Sequence, residues 1–467
     1  MSEIINVSEK QIKEISYFLN EPSWHVEERL KAFKIYNSLP IEITPLYVKH
    51  FDITGMNLKD AKINFKNDAA LPREVENLLQ KLDYVPYVLF FNGKLQKINL
   101  PELLKKESLQ IYDLSMIFGK EDLLKNVLKY KVINEEEDKF AALNNALADS
   151  GVFISIPPGL QLKVPLRIIN LISEEELLSF LQYYIVLNND TNVVIIEEDY
   201  SIGIENKQSL SSKNINVYLK EGAKLEYVYI NGFEEAINNI TFRRAICEKD
   251  ANIAWYSGLF GGLVNRIKTD SRMYLQGSTS NNIEIVVGGK KQRFDLTSYL
   301  SHIATYTKSV SLTRGVLKEE ARALFKGMIK IYENAKNSEA YLAEHAMILN
   351  KGARADSIPG LEIANNEVRA THSASVAQID EEQIFYIMSR GLSESEAKKL
   401  LTVSFFQQII DQMPIEEVKE KMLEFIEKKL DNIGIRLEDK FILTKEFRET
   451  TVITPEKLFE THYKYRK

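Results

Sequence analysis

The chain offers few side chains for metal or nucleophilic chemistry. Six histidines (His25, His50, His302, His345, His372 and His462) and one cysteine, Cys247, are the main candidates. No two of the histidines stand four residues apart, the spacing that would bring them together on a helix. His372 is set in Thr371-His372-Ser373-Ala374-Ser375, whose small side chains leave space around the imidazole. A neutral imidazole with that freedom suits iron or another borderline metal. The same ring in a strand also suits a hydrogen bond to a neighbouring strand, and the residues alone leave both readings open. Asp295 and His302 lie seven apart in FDLTSYLSH. Strand alternation puts them on opposite sides, which favours a structural hydrogen bond over a catalytic dyad. Cys247 follows Arg243-Arg244, which would lower its thiol pKa if it were exposed; in so β-rich a stretch, buried filler is the plainer role. One cysteine excludes an internal disulfide and argues against a cysteine-based zinc site.

The sequence contains no Walker or dinucleotide glycine motif, no HExxH and no GxSxG. Gly258–Leu263, GLFGGL, is glycine-rich but lacks a GK[ST] ending, and its setting points to a turn or to close packing. A carbohydrate-processing solenoid would need clustered acids on one face, and Asp295 has no obvious acidic companion.

The elements that must carry these residues fall into four regions. Residues 1–148 read as α+β. Ser8 and Gln11 form a capping box, Trp24, Val26, Leu30 and Phe33 share a helical face, and Asn92-Gly93 between two β-rich runs signals a hairpin. Residues 149–378 read as short strands with Gly, Asn and Asp turns. Ile215, Val217 and Leu219 alternate with Asn216, Tyr218 and Lys220, and Leu225, Tyr227 and Tyr229 repeat the pattern. Glu174–Phe180 reads as a helical interruption. So many strands without intervening helices exclude a doubly wound fold. No blade-length repeat supports a propeller, which leaves a sandwich or a solenoid. Residues 379–430 read as helices, opened by Asp380 and Ser393 and broken at Met413-Pro414. Residues 431–467 form an extension of mixed character.

The bulk composition agrees with a globular chain. It has 467 residues, 45% apolar and 27% charged, with a net charge of −6. That charge leaves no basic footprint for nucleic acid. No apolar run is long enough to span a membrane, and the first residues lack a secretion pattern. A reducing cytoplasm is the expected compartment.

Five segments in order resemble the SufB/SufD family of iron–sulfur cluster scaffold proteins. They are EPSWHVEERLKAF (Glu21–Phe33), FAALN (Phe140–Asn144) with GVFISIPPGLQLKVPLRI (Gly151–Ile168), QRFDLTSYLSH with SVSLTRGVLKEEARALFKGMIKI (Ser309–Ile331), AKNSEAYLAEHAMILNKGARADSIPGLEI, and the stretch Arg354–Leu392. The resemblance covers roughly residues 20–430. It implies a mainly β fold, a right-handed parallel β-helix core with an α+β N-terminal region and a helical C-terminal region, and so favours the solenoid.

The resemblance further implies a non-catalytic scaffold subunit. A SufC-type ABC ATPase would grip the C-terminal helices, and a SufB-type subunit or a second copy would join the β-helix. The cluster would be assembled transiently and passed on; nothing in the sequence bears on a flavin. SufB-type chains carry a cysteine that here corresponds to Glu344, a candidate metal position, and an acidic residue where this chain has Ser373. VLFFNGKL (Val88–Leu95) resembles a SufD element, and His372 falls on a histidine implicated in SufD function. The chain therefore resembles SufD most, with SufB-like, mixed ancestral and purely structural subunits as alternatives.

Overall fold

The computed structural model describes residues 4–41, 52–53, 55–65, 70–105 and 107–432. The expectations for His50, for His462 and for nearly all of the C-terminal extension lie outside them. The N-terminal region holds α1 (Glu9–Phe18), α2 (Ser23–Ser38) and α3 (Arg73–Gln80), then the hairpin of β1 (Tyr87–Phe91) and β2 (Lys94–Asn99). After it come α4 (Glu102–Lys105), β3 (Gln110–Asp113), α5 (Ser115–Phe118), α6 (Glu121–Leu128) and α7 (Lys139–Leu147). The hairpin turn is set by Asn92 and Gly93, both at positive φ (49° and 76°), as a tight β-hairpin requires. The capping box on α1 closes as expected, with the Ser8 amide donating to Gln11 Oε1 at 2.7 Å.

The buried face of α2 differs from the expected one. It consists of His25, Arg29, Ala32, Phe33 and Tyr36, while Trp24 and Leu30 are only half-buried at its flank. Polar residues occupy this face because Glu21 closes a buried ion pair on Arg29, at 2.6 and 2.8 Å, and Arg29 also donates to Ala146 O at 3.2 Å. Burial alone would raise the Glu21 carboxyl, but Arg29 and His25 hold it down at about 2. The EPSWHVEER segment thus fastens α2 to the end of α7.

The solenoid strands are β4 (Ser150–Ile156), β5 (Leu166–Ile172), β6 (Leu178–Leu187), β7 (Asn192–Ser201), β8 (Ser209–Leu219), β9 (Lys224–Gly232), β10 (Ile237–Cys247) and β11 (Asn252–Leu259). They continue as β12 (Val264–Met273), β13 (Thr279–Gly288), β14 (Arg293–His302), β15 (Lys308–Leu317), β16 (Arg322–Ile331), β17 (Glu339–Ile348), β18 (Arg354–Ile363) and β19 (Arg369–Gln378). Each pairs in parallel with the strand two further on. Even strands stack in one sheet and odd strands in the other, giving about eight coils. The architecture is a β-solenoid rather than a sandwich.

Glu174–Phe180, expected as helix, is a turn running into β6. The Glu175 carboxylate accepts backbone N–H groups of Glu205, Asn206 and Lys207 from the next coil, at 2.8–3.2 Å, and Glu176 takes a φ of 57°. A side chain that satisfies three amides elsewhere in the chain fixes a turn where local acidity suggested a helix start.

Inside the coils, Ile215, Val217, Leu219, Leu225, Tyr227 and Tyr229 form part of the sealed core, as their alternation predicts. The outer face of the even sheet is covered by the N-terminal helices, with Phe180, Tyr184, Leu210, Ile240 and Phe242 buried beneath them. The outer face of the odd sheet is covered by α3 and by the C-terminal helices α9 (Glu394–Ile410) and α10 (Glu416–Leu430); a short α8 (Glu381–Met388) links β19 to α9. GLFGGL is a close-packing site. A Cβ on Gly258 would stand 2.3 Å from Met422 Sδ of α10 and 2.7 Å from the Phe260 ring, so the missing side chain lets that helix lie close on the sheet.

The two ends of the rod differ. At one end the β1–β2 hairpin extends the odd sheet and β3 extends the even sheet, β3 running antiparallel to β4. At the other end β18 and β19 each pair on one side only among the described residues.

Candidate functional site

The site is built at the unpaired end. β19 runs in register on β17, with Leu342 opposite His372 and Glu344 opposite Ala374. Leu342 and Glu344 are buried inward residues, so His372 belongs to the inward-facing row of the last coil. It is exposed because, among the described residues, no further coil covers it. Beside it lie exposed apolar side chains of the same end: Leu361 and Ile363 on β18 and Val376 on β19. The Pro359 position is also on the inward row, in register with Gly327. His372 therefore stands at the mouth of the lumen, its ring free of a neighbouring-strand hydrogen bond among the described residues.

Below the mouth the lumen is not purely apolar. Lys213 is buried between Glu197 and Asp199, which also accept from the hydroxyls of Tyr227 at 2.8 Å and Tyr229 at 2.7 Å. Further along, Arg243 donates to Thr269 Oγ1 at 2.8 Å and Ser257 Oγ at 2.6 Å, and its guanidinium lies 5.0 Å over the Trp255 ring. Glu284 lies 3.7 Å from Arg243 and accepts from Thr313 at 2.9 Å. Glu344 accepts from Ser357 at 2.5 Å. All of these side chains lie on inward rows and follow the axis of the rod toward His372. Apart from Glu344, sequence reading missed the charged members of this row, because a buried lysine or glutamate on an alternating strand looks like a solvent-facing one; the tyrosines and tryptophan interleaved with them were the available signal.

Glu344 itself faces the interior and not the surface. Gly327 on β16 makes room for it: a Cβ there would stand 2.7 Å from Glu344 Oε1. Burial raises its carboxyl from 4.5 to about 7, against the Ser357 hydrogen bond and with help from the Glu284 carboxylate. The folded chain thus holds this proton more tightly than the unfolded chain. Its contribution to stability is greatest below pH 4.5 and declines as pH rises through about 7, by about 3 kcal/mol in all. Glu344→Gln is expected to abolish that slope and to exceed the wild type in stability at pH 8 by up to about 3 kcal/mol. Urea unfolding of both chains at pH 5 and pH 8 checks this, and equal pH slopes would refute it.

The other candidates fall elsewhere. Asp295 pairs with Lys326 at 2.9 Å on the outward side of β14. His302 is sealed inside, its two ring nitrogens 2.8 Å from Thr307 Oγ1 and Ser309 Oγ, with burial lowering its pKa to about 3. The two do not form a dyad. Cys247 is fully buried in the core and burial pushes its thiol far up, which makes it the packing residue expected. No three His, Cys, Asp or Glu side chains converge as a metal-ligand set among the described residues, at His372 or elsewhere.

At the C-terminal side, Asp380 caps α8 by accepting from Glu382 N and Gln383 N, and Gly391 follows α8 at a φ of 100°. Ser393 and Glu396 close a capping box on α9. Most apolar side chains of α8 and the start of α9 are unpacked: Ile384 is buried, but Phe385 is 74% and Tyr386 59% exposed, and Met388, Leu392 and Leu400 are exposed as well. Among the described residues no helix is long and apolar enough to cross a membrane.

The chain is a two-sheet solenoid with one end finished by antiparallel strands and the other, histidine-bearing, left uncovered among the described residues. Comparison with known proteins gives its family. Residues 170–405 match the SufBD core domain of SUF-system FeS cluster assembly, and residues 35–168 match the SufBD N-terminal region. The chain belongs to the SufBD family of iron–sulfur cluster assembly proteins. It is 25% identical over 416 residues to the iron–sulfur cluster assembly protein SufB of Bacillus subtilis, covering 87% of this chain and 89% of that protein. It is 24% identical over 424 residues to a SufBD family iron–sulfur cluster assembly protein of Staphylococcus aureus, covering 88% and 90%.

Proposed function

We propose that this chain is the SufD-like subunit of a cytoplasmic SUF scaffold complex and that it presents His372 to a nascent iron–sulfur cluster. The observation that carries this reading is the exposure of His372 at the unpaired end of the solenoid. The chain performs no turnover of its own; iron and sulfide are cargo, held transiently while the cluster forms. A SufB-type subunit, or a second copy, covers β18 and β19 and contributes the thiolate that this chain lacks there. The free strand edges and exposed Leu361, Ile363 and Val376 support that partner. A SufC-type ABC ATPase docks on α8–α10, and the exposed Phe385 and Tyr386 support a groove-docking helix. ATP-driven closure of that partner then shifts the solenoid seam and opens it to iron.

Glu344 is the weaker ligand candidate, because it would have to break its Ser357 bond and turn out of the lumen. The name of the Bacillus subtilis relative favours a SufB-like role as the second reading. The test is co-purification of the full chain with candidate ATPase and SufB-type partners, followed by anaerobic reconstitution read by absorbance. A ternary complex that gains cluster absorbance is expected. Failure to bind an ATPase would overturn the docking reading, and cluster formation by this chain alone would overturn the SufD-like one.

A further inference from the structure

The outward face of the odd sheet carries a short polar column near the unpaired end. Arg314 on β15 is in register with His345 on β17, and His345 with Ser375 on β19. At one end of the column Arg314 reaches helix α9. Its Nη1 donates to Phe405 O, its Nη2 donates to Gln408 Oε1 at 2.6 Å, and its guanidinium lies 5.0 Å over the Phe405 ring. At the other end His345 Nδ1 is 2.6 Å from Ser375 Oγ. Ser375 is three residues beyond His372 on the same unpaired strand.

Helix α9 and strand β19 are thus connected twice, once by the chain through α8 and once by this column, whose middle step from Arg314 to His345 runs through the β15–β17 ladder. The exposed apolar residues of α8 and the start of α9 leave the covalent link weakly packed. The column is the stiffer link: Arg314 makes two charge-assisted hydrogen bonds to α9 through a planar fork, which fixes orientation as well as distance.

We propose that Arg314 and His345 are positioning residues that transmit movement of α9 to β19, and so set the placement of His372. The inference rests on the proposed docking of an ATPase on these helices and names how its pull reaches the site. Neither residue touches the cluster. Arg314 and Ser375 stand two strand spacings apart, about 9–10 Å, a separation at which independent substitutions have additive effects. Departure from additivity is therefore the signature of a transmitting column.

The test is amide hydrogen exchange on the full chain, which requires neither partner nor iron. Arg314→Met keeps the stem and removes the donors. It is expected to raise exchange of the β19 amides by about tenfold, the effect of losing a charge-assisted hydrogen bond. In a Ser375→Ala background, which removes the far end of the column, the same replacement is expected to change β19 exchange by less than about twofold. Gln408→Ala alters only an exposed side chain of α9, and its effect on β19 is expected to depend on Ser375 in the same way. It decides the matter should Arg314→Met not fold. A variant that loosens α9 and leaves β19 unchanged, or effects that multiply fully in the Ser375→Ala background, would overturn the coupling. Exchange and co-purification fail separately. An ATPase that binds a chain with an additive column removes the coupling alone; a coupled column in a chain that binds no ATPase removes the docking reading alone.

Discussion

His372→Ala is expected to leave this chain folded and able to join its partners while cluster yield in reconstitution falls by at least about tenfold, since even outer-shell losses at metal sites reach that size. The reasoning is geometric. The ring lies on the last coil, uncovered, and no packing is lost with it. Its strand partner Leu342 stays buried beneath. Absorbance after anaerobic reconstitution measures the yield, and gel filtration of the complex verifies assembly. An unchanged yield would remove the ligand role and leave a structural subunit.

Lys213→Met is expected to cause the largest stability loss, about 3–5 kcal/mol near neutral pH. Its ammonium is fully buried between Glu197 and Asp199 and lies 4.6 Å over the Tyr229 ring. Without it two carboxylates remain in a closed lumen with only hydroxyl and amide partners. Burial already raises the Glu197 carboxyl and Lys213 opposes that rise. Removing the lysine raises it further, so the deficit is largest where Glu197 would be ionised and shrinks as pH falls and it takes up a proton. Adding Glu197→Gln and Asp199→Asn is expected to recover most of the loss, because the uncompensated charge and not the missing attraction causes it. Urea midpoints of the single and triple variants at pH 5 and pH 7.5 test this. A single variant within about 1 kcal/mol of wild type, the size of an ordinary substitution, would refute it.

Much of the fold is legible in the sequence where local chemistry decides it. Asn92-Gly93 makes its hairpin, Asp380 and Ser393 cap their helices, and the alternation around Ile215–Leu219 sets which side faces inward. The solenoid itself is harder to read because its coils differ in length. Register partners run from 252 to 279, 279 to 308 and 308 to 339, steps of 27, 29 and 31 residues, so no fixed period marks the repeat. Glu174–Phe180 misleads because amides of the next coil, distant in sequence, decide its conformation. The buried charges mislead because alternation reports two sides of a strand but not which side carries water. Lys213 lies on the same side as Ile215, inside. His372 is identifiable by its small neighbours, but its exposure follows only from being on the final coil.

The two ends of the rod offer different edges to other chains. A long, regular strand edge invites a further strand, and a short or irregular one discourages it. At one end β18 and β19 present ten residues each, whereas at the other β2 and β3 present six and four and enter antiparallel. The N-terminal strands thus leave a poorer template for fibre-like stacking, and their deletion is expected to make the rod more prone to self-association.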